Sequence, residues 1–414
     1  MTQALQPTVL LRNANVIDGS QPDPLGSFDI LIEAGTIKKV ASGRIKASCD
    51  LEYDLKGQYV MPGLIDLHIH PFLTDMNLMR LEETPVSLVT AQASVVLKGL
   101  LDRGFTSIRD AAVGDWGLKQ AVDEGYLAGP RLFISGRALS QTGGHGDFRR
   151  RTDDSVMCSC GSALHLTSRI ADGVGQVRHA VRDELRKGAD QIKIMVSGGV
   201  SSPLDPLEGC QFSNDEIIAA VDEATRAGTY VLAHAYSAEA ITRALNAGVR
   251  TIEHANLIDA AAAELAASKN AYVVPTLVAY EALAKHAQSA GYSQAMLDKL
   301  AKVREFGLRS LEICKTAGVK IGFGTDIIGN QEMHAQEFLI RNEVMPAHEI
   351  IASATSVGAE VLRRESQLGV IAEGAIADLL ILDGNPLADI SLLAGHGEHY
   401  RAIMKAGRFH KNQL

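Results

Sequence analysis

The stretch Tyr59-Val60-Met61-Pro62-Gly63-Leu64-Ile65-Asp66-Leu67-His68-Ile69-His70 is where the pattern of the chain changes. Its apolar positions run almost unbroken, as in a strand buried on both faces. Before it, short aliphatic runs at 8–11, 15–17, 29–32 and 36–40 are separated by Gly19, Gly26, Gly35 and Gly43, with no amphipathic helix before Pro85. This opening reads as a small β unit.

After residue 59, strand, loop and helix alternate. Strand-length apolar runs occur at 60–69, 106–108, 131–135, 191–196, 230–233, 251–253, 272–276 and 320–323. Between them lie helical stretches such as 86–103, 170–187, 215–227 and 238–247. Ser213 followed by Glu216 is a capping-box signature that opens one of them. Gly104, Gly188, Gly228, Gly248 and Gly318 each follow a helical stretch and precede a strand run. Glycine there supplies the left-handed conformation that ends a helix. Eight such units predict an α/β chain with a (β/α)8 TIM barrel over residues 59–365. An open doubly wound sheet fits less well, because no G-x-G-x-x-G follows the first strand. The tail returns to β character at 377–386 and 402–405. Residues 1–58 and 366–414 are therefore expected to build one small β-sandwich domain from both chain ends.

The formal net charge of −9 over 414 residues argues against a nucleic-acid partner. Arg149, Arg150 and Arg151 are the one basic run, read either as a solvated loop or as a clamp for an anionic substrate group. Residues 1–15 hold no apolar run of signal-peptide length, and no stretch approaches a membrane span. Five scattered cysteines favour reduced thiols and a cytoplasmic setting. Cys158 and Cys160 alone make a poor metal pair.

Barrel active sites sit at the C-terminal ends of the strands. Five of the eight predicted strands end in residues able to bind metal. His68 and His70, two apart on the first strand, point the same way and can grip one ion. Lys193 lies inside the apolar fourth run, His234 and His254 close the fifth and sixth, and Asp326 follows the eighth. Each residue has an ordinary explanation: a satisfied polar histidine, a snorkelling lysine, an aspartate closing a turn. One metal centre accounts for all five strands together.

With these residues in place the chain resembles the amidohydrolase superfamily over nearly its whole length. Its resemblance is strongest to the branch of imidazolonepropionase-like proteins, prolidases and dipeptidases of Xaa-Pro or Xaa-Arg/Lys specificity. The narrower match is carried by Gly143-Gly144-His145-Gly146-Asp147, by Lys193 with Ser197-Gly198-Gly199, and by Ala233-His234-Ala235-Tyr236. The resemblance implies two divalent ions, zinc by ligand type. His68, His70 and Asp326 would hold the more buried ion and His234 and His254 the more exposed one. Lys193 would bridge them as a carbamate formed with carbon dioxide.

A metal-bridging hydroxide would attack an amide carbonyl, with Asp326 shuttling the proton, His145 donating to the oxyanion, and Tyr236 binding that oxygen or a substrate carboxylate. Arg149 and Val200 are further candidate substrate contacts, with Pro203 and Tyr280 beside Val200 in an apolar pocket. Arg109-Asp110 reads either as a buried ion pair or as a substrate contact. The expected activity is hydrolysis of a dipeptide or N-acyl amino acid, releasing the C-terminal residue. The alternatives are a cyclic-amide or imidazolone hydrolase or lactonase with the same metals, and, more remotely, a non-catalytic scaffold. The resemblance also suggests a homo-oligomer.

Overall fold

Strands from both ends of the chain meet in one sheet. In the computed structural model, which describes residues 6–149, 151, 168–202, 205–287 and 291–414, the chain opens with β1 (Val9–Val16), β2 (Gly26–Glu33), β3 (Thr36–Ala41), β4 (Leu51–Asp54) and β5 (Tyr59–Pro62). The strands of the parallel region are β6 (Leu64–Ile69), β7 (Phe105–Asp110), β8 (Arg131–Ile134), β9 (Ala138–Ser140), β10 (Ser168–Ile170), β11 (Ile192–Met195), β12 (Val231–Ser237), β13 (Thr251–Leu257), β14 (Tyr272–Val274) and β15 (Lys320–Ile321). The chain closes with β16 (Leu379–Leu382), β17 (Tyr400–Lys405) and β18 (Arg408–Asn412).

The first sheet runs β18-β17-β16-β5-β1-β2-β3, with β4 on β1. β16 pairs antiparallel with β5 in the register Leu380↔Met61, so the tail zips onto the strand that leads into β6. Alternate residues of these strands, among them Val9, Leu11, Ile30, Val60, Leu379, Ile381 and Met404, form one apolar core.

The rest is parallel: β6-β7-β8 in one sheet and β10-β9-β11-β12-β13-β14-β15 in another. Each of the eight predicted strand runs overlaps one of these strands, whereas β9 and β10 fall in no predicted run. Pro275 cuts the seventh short at Val274, since it has no N–H to give the ladder. Backbone bonds also cross between the two sheets. Asp190 N donates to Ile134 O at 2.7 Å, and Leu67 N donates to Phe323 O at 2.8 Å. Helices alternate with the strands and bury faces such as Val89, Ala93, Leu97, Leu100 and Leu101 against them.

The five helix-ending glycines all have left-handed φ, between +74° and +96°. Ser213 and Glu216 form the reciprocal capping box. Two local expectations are corrected. The stretch 170–187 starts as β10, and its helix begins only at Val174, because Gly173 at φ +82° breaks the chain between them. A helix does precede Pro85: Leu78–Glu82, opened by the Asn77 side chain accepting from Arg80 N. One turn and a half is too short to show a helical period in the sequence. Among the described residues no helix is long and apolar enough to cross a membrane.

Candidate metal centre

Side-chain direction on β6 is fixed by Asp66, whose carboxylate accepts from His68 N at 2.9 Å and from Thr325 Oγ1 at 2.7 Å and contacts His334 Nε2 at 2.9 Å. His68, His70 and Asp326 each present one donor atom, all within 4.8 Å of one another, the one such group among the described residues. His70 Nε2 lies 3.1 Å and His68 Nε2 3.6 Å from Asp326 Oδ1. The register β11–β12–β13 brings the remaining candidates to the same place, with Met195 opposite His234 and Ala235 opposite His254. The His254 ring centroid is 4.9 Å from that of His68 and 4.6 Å from that of His234.

Each of the four histidines spends one ring nitrogen on a neighbour. His68 Nδ1 meets Glu253 Oε2 at 2.7 Å, His70 Nδ1 meets Ala112 O at 3.0 Å, and His234 Nε2 meets Gly198 O at 3.1 Å. Carboxylates and carbonyls only accept, so these nitrogens carry the proton. His254 Nδ1 pairs with Thr276 Oγ1 at 2.8 Å. That leaves Nε2 of His68 and Nδ1 of His234 as lone pairs, the arrangement a metal-binding imidazole needs. Burial, reinforced by neighbouring positive groups such as Lys193, holds His68, His234 and His254 well below the ordinary histidine pKa, so all three are neutral. His70 goes the other way: burial lowers its pKa, but the hydrogen bond and charge of Asp326 outweigh it. Its Nε2 faces the Asp326 carboxylate as a hydrogen-bond partner.

Lys193 is buried, and among the described residues its ammonium has no hydrogen-bond or ion-pair partner. Burial lowers its pKa to about 8 against the pull of Glu253 and Asp326. Burial also opposes ionisation of Asp326, yet His68, His70 and Lys193 hold its carboxyl below the usual range. Asp326 and His254 both have left-handed backbone, at φ +52° and +71°. For non-glycine residues this costs energy that the surrounding structure must supply. At β13 the turn has a visible result: Glu253 and His254, consecutive in the chain, both touch His68.

His145 follows β9 and stacks on His234, with centroids 4.2 Å apart. Its Nδ1 is 2.7 Å from Ser202 Oγ, its backbone N donates to Gln211 Oε1 at 2.9 Å, and burial lowers its pKa to about 4. Gly199 gives the ring its room, since a Cβ there would sit 2.1 Å from His145 Cε1. The loop carrying Gly199 and Ser202 is tied down by Lys299, whose ammonium donates to Gly199 O and Ser202 O at 2.9 Å each and to Asp205 O at 2.5 Å. Tyr236 stacks on His254 at 5.2 Å, and its hydroxyl joins a chain through Tyr280, at 3.1 Å, to Asn256. Val200 packs with Tyr236 and Tyr280 in a small apolar cluster.

Other expectations are redirected. The buried ion pair of Arg109 is with Glu253, at 2.8 Å, and not with Asp110. Asp110 faces His70 instead, and burial raises its carboxyl pKa to about 7. Arg149 grips Asp147 with two bonds of 2.7 and 2.6 Å, and Arg151 is exposed. Arg150, Cys158, Cys160 and Pro203 lie outside the described residues. Sequence reasoning missed Glu253, Thr276 and Lys299, which hold the candidate ligands and the His145 loop without being candidates themselves. Glu253 carried one signal: an acidic residue inside an apolar strand run, next to a candidate ligand.

The sequence profile of the amidohydrolase family matches residues 59–408. Ochratoxinase of Aspergillus niger is 32% identical over 381 residues, covering 85% of this chain and 78% of that protein. A crystal structure of an amidohydrolase superposes with a TM-score of 0.96 at 51% identity, over 98% of this chain and all of the other. The crystal structure of a prolidase complexed with N-methylphosphonate-L-proline gives 0.95 at 47% identity, again over 98% of this chain and all of the other.

Proposed function

From the premise that this chain belongs to the amidohydrolase family and hydrolyses amide or peptide bonds, we propose that it is a two-metal enzyme releasing a C-terminal amino acid from a dipeptide or N-acyl amino acid. The observation that carries this reading is the cluster itself: four histidines, each with one ring nitrogen hydrogen-bonded to a neighbour, packed together with Asp326 and Lys193. His68, His70 and Asp326 would hold one divalent ion, His234 and His254 the second, and Lys193 both, as its carbamate. A bare ammonium repels cations, whereas a carbamate offers two anionic oxygens. Its formation joins the neutral amine to carbon dioxide and releases a proton, and a pKa of about 8 keeps that amine available near neutrality. Imidazole and carboxylate donors suit zinc. When bound, such ions acidify water and polarise a carbonyl.

The chain's own residues divide the remaining work. Asp326, ionised and beside His68 and His70, takes a proton from the attacking water and returns it to the leaving nitrogen. His145 is neutral at working pH. Its Nδ1 lies 2.7 Å from Ser202 Oγ, and a proton on Nε2 would be donated to the carbonyl oxygen as charge develops there. Burial, with Tyr280 alongside, keeps Tyr236 a protonated phenol able to donate to a substrate carboxylate. The prolidase relative favours proline as one leaving residue. The two parallel sheets are read as one (β/α)8 barrel over residues 59–365. The terminal strands are read as a small β-sandwich domain of residues 1–58 and 366–414.

Zinc-loaded protein screened against Xaa-Pro dipeptides, N-acyl amino acids, lactones and cyclic amides is expected to turn over the first two classes. Turnover confined to the ring substrates would replace this reading.

A further inference from the structure

A cavity of about 410 Å³ with a mostly apolar wall borders, through Leu283 and Tyr292, the cluster of Val200, Tyr236 and Tyr280 that packs on His254. Met76 comes from the loop after β6 and Leu78 from the short helix that follows it, Phe148 from the His145 loop, Ile328 from two residues past Asp326, and Leu283 and Met296 from the two helices after β14. Tyr292 closes one side, its hydroxyl 2.9 Å from Ser201 Oγ. Asp147 is the one carboxylate among the described wall residues, and it is engaged by Arg149 and by Gly143 N at 2.9 Å.

We propose that this cavity is the specificity pocket for the acyl side of the substrate and takes a bulky apolar group, aromatic by preference; the assignment rests on the amidohydrolase reading above. Three features support it. Thioethers from Met76 and Met296 and the rings of Phe148 and Tyr292 make a polarisable wall that suits a flat ring. A charged side chain entering would lose water and find Asp147 already paired. Tyr236 and Tyr280, the hydroxyls suited to a leaving carboxylate, do not line this cavity and pack instead around Val200. Leu283 and Tyr292 of the cavity wall pack against that same cluster, so an apolar acyl group in the cavity would lie next to the hydroxyls that would bind the leaving carboxylate.

The test compares Gly-Pro, Leu-Pro, Phe-Pro, Glu-Pro and Lys-Pro on the zinc-loaded enzyme. It also measures binding of N-acetyl-L-proline and N-benzoyl-L-proline to the metal-free protein by calorimetry, which reads the pocket without turnover. The inference expects kcat/KM for Phe-Pro and Leu-Pro to exceed that for Gly-Pro, Glu-Pro and Lys-Pro by roughly 10-fold or more, and benzoyl to bind more tightly than acetyl. Met296→Asp should erase both preferences while leaving metal content unchanged. Leu283→Ala, which adds no charge, should lower the Phe-Pro preference in the same direction should the first variant fail to fold. Flat or charge-favouring selectivity in both assays would overturn the pocket and leave the hydrolase standing. Selective binding by a protein that cleaves no amide would support the pocket and refute the hydrolase.

Discussion

Lys193→Ala is expected to lose metal and activity together. The side chain is buried among His68, His234 and His254, and its ammonium depresses the pKa of each. Left as an amine it would repel the two proposed cations; as a carbamate it would offer an oxygen to each. Alanine removes both oxygens and leaves a hole lined by neutral imidazoles. Electrophilic stabilisation by a bound ion is worth several kcal/mol, so turnover should fall on the order of 10³-fold or more. Elemental analysis of the purified variant should show less than one ion per chain. Short carboxylic acids, which can enter the hole and mimic the carbamate, should restore part of both the metal and the rate. Normal metal content in this variant would remove Lys193 from the ligand set.

Asp326→Asn is the second large effect. Asparagine is among the residues that best tolerate left-handed backbone, so the turn at φ +52° is preserved and the change is confined to the carboxylate. The amide oxygen remains a weak ligand, but its nitrogen cannot accept a proton. Loss of a general acid–base group costs roughly 10²- to 10⁴-fold in rate. The fall is expected in kcat, with KM for a good dipeptide changed little and metal content partly retained. A variant with normal kcat would move proton transfer to another group.

The parts of this molecule legible in sequence are those governed by local rules. Eight apolar runs with glycines at fixed offsets announced the parallel strands, because burial and helix termination each leave a mark within a few residues. His68 and His70 could be paired from spacing alone, since strand alternation fixes their relative direction. The rest depends on contacts between distant segments. Arg109 and Glu253 are 144 residues apart and form a buried pair that sets the tautomer of His68. Nothing in the neighbourhood of either residue marks that partnership. Positive φ at His254 and Asp326 is equally silent in sequence, as residue types other than glycine give no notice of it. Lys299 clamps the His145 loop from the middle of an exposed-looking helical stretch, where a lysine is unremarkable.

The central claim is that the imidazole cluster exists to hold two catalytic ions. Metal-to-protein ratio and amidase activity should be measured together on protein purified in zinc, then after exhaustive chelation, then during stepwise return of zinc. Two ions per chain are expected at full activity, with loss of both on chelation and recovery of the rate as the sites refill. Chelated protein free of metal and still fully active would contradict it.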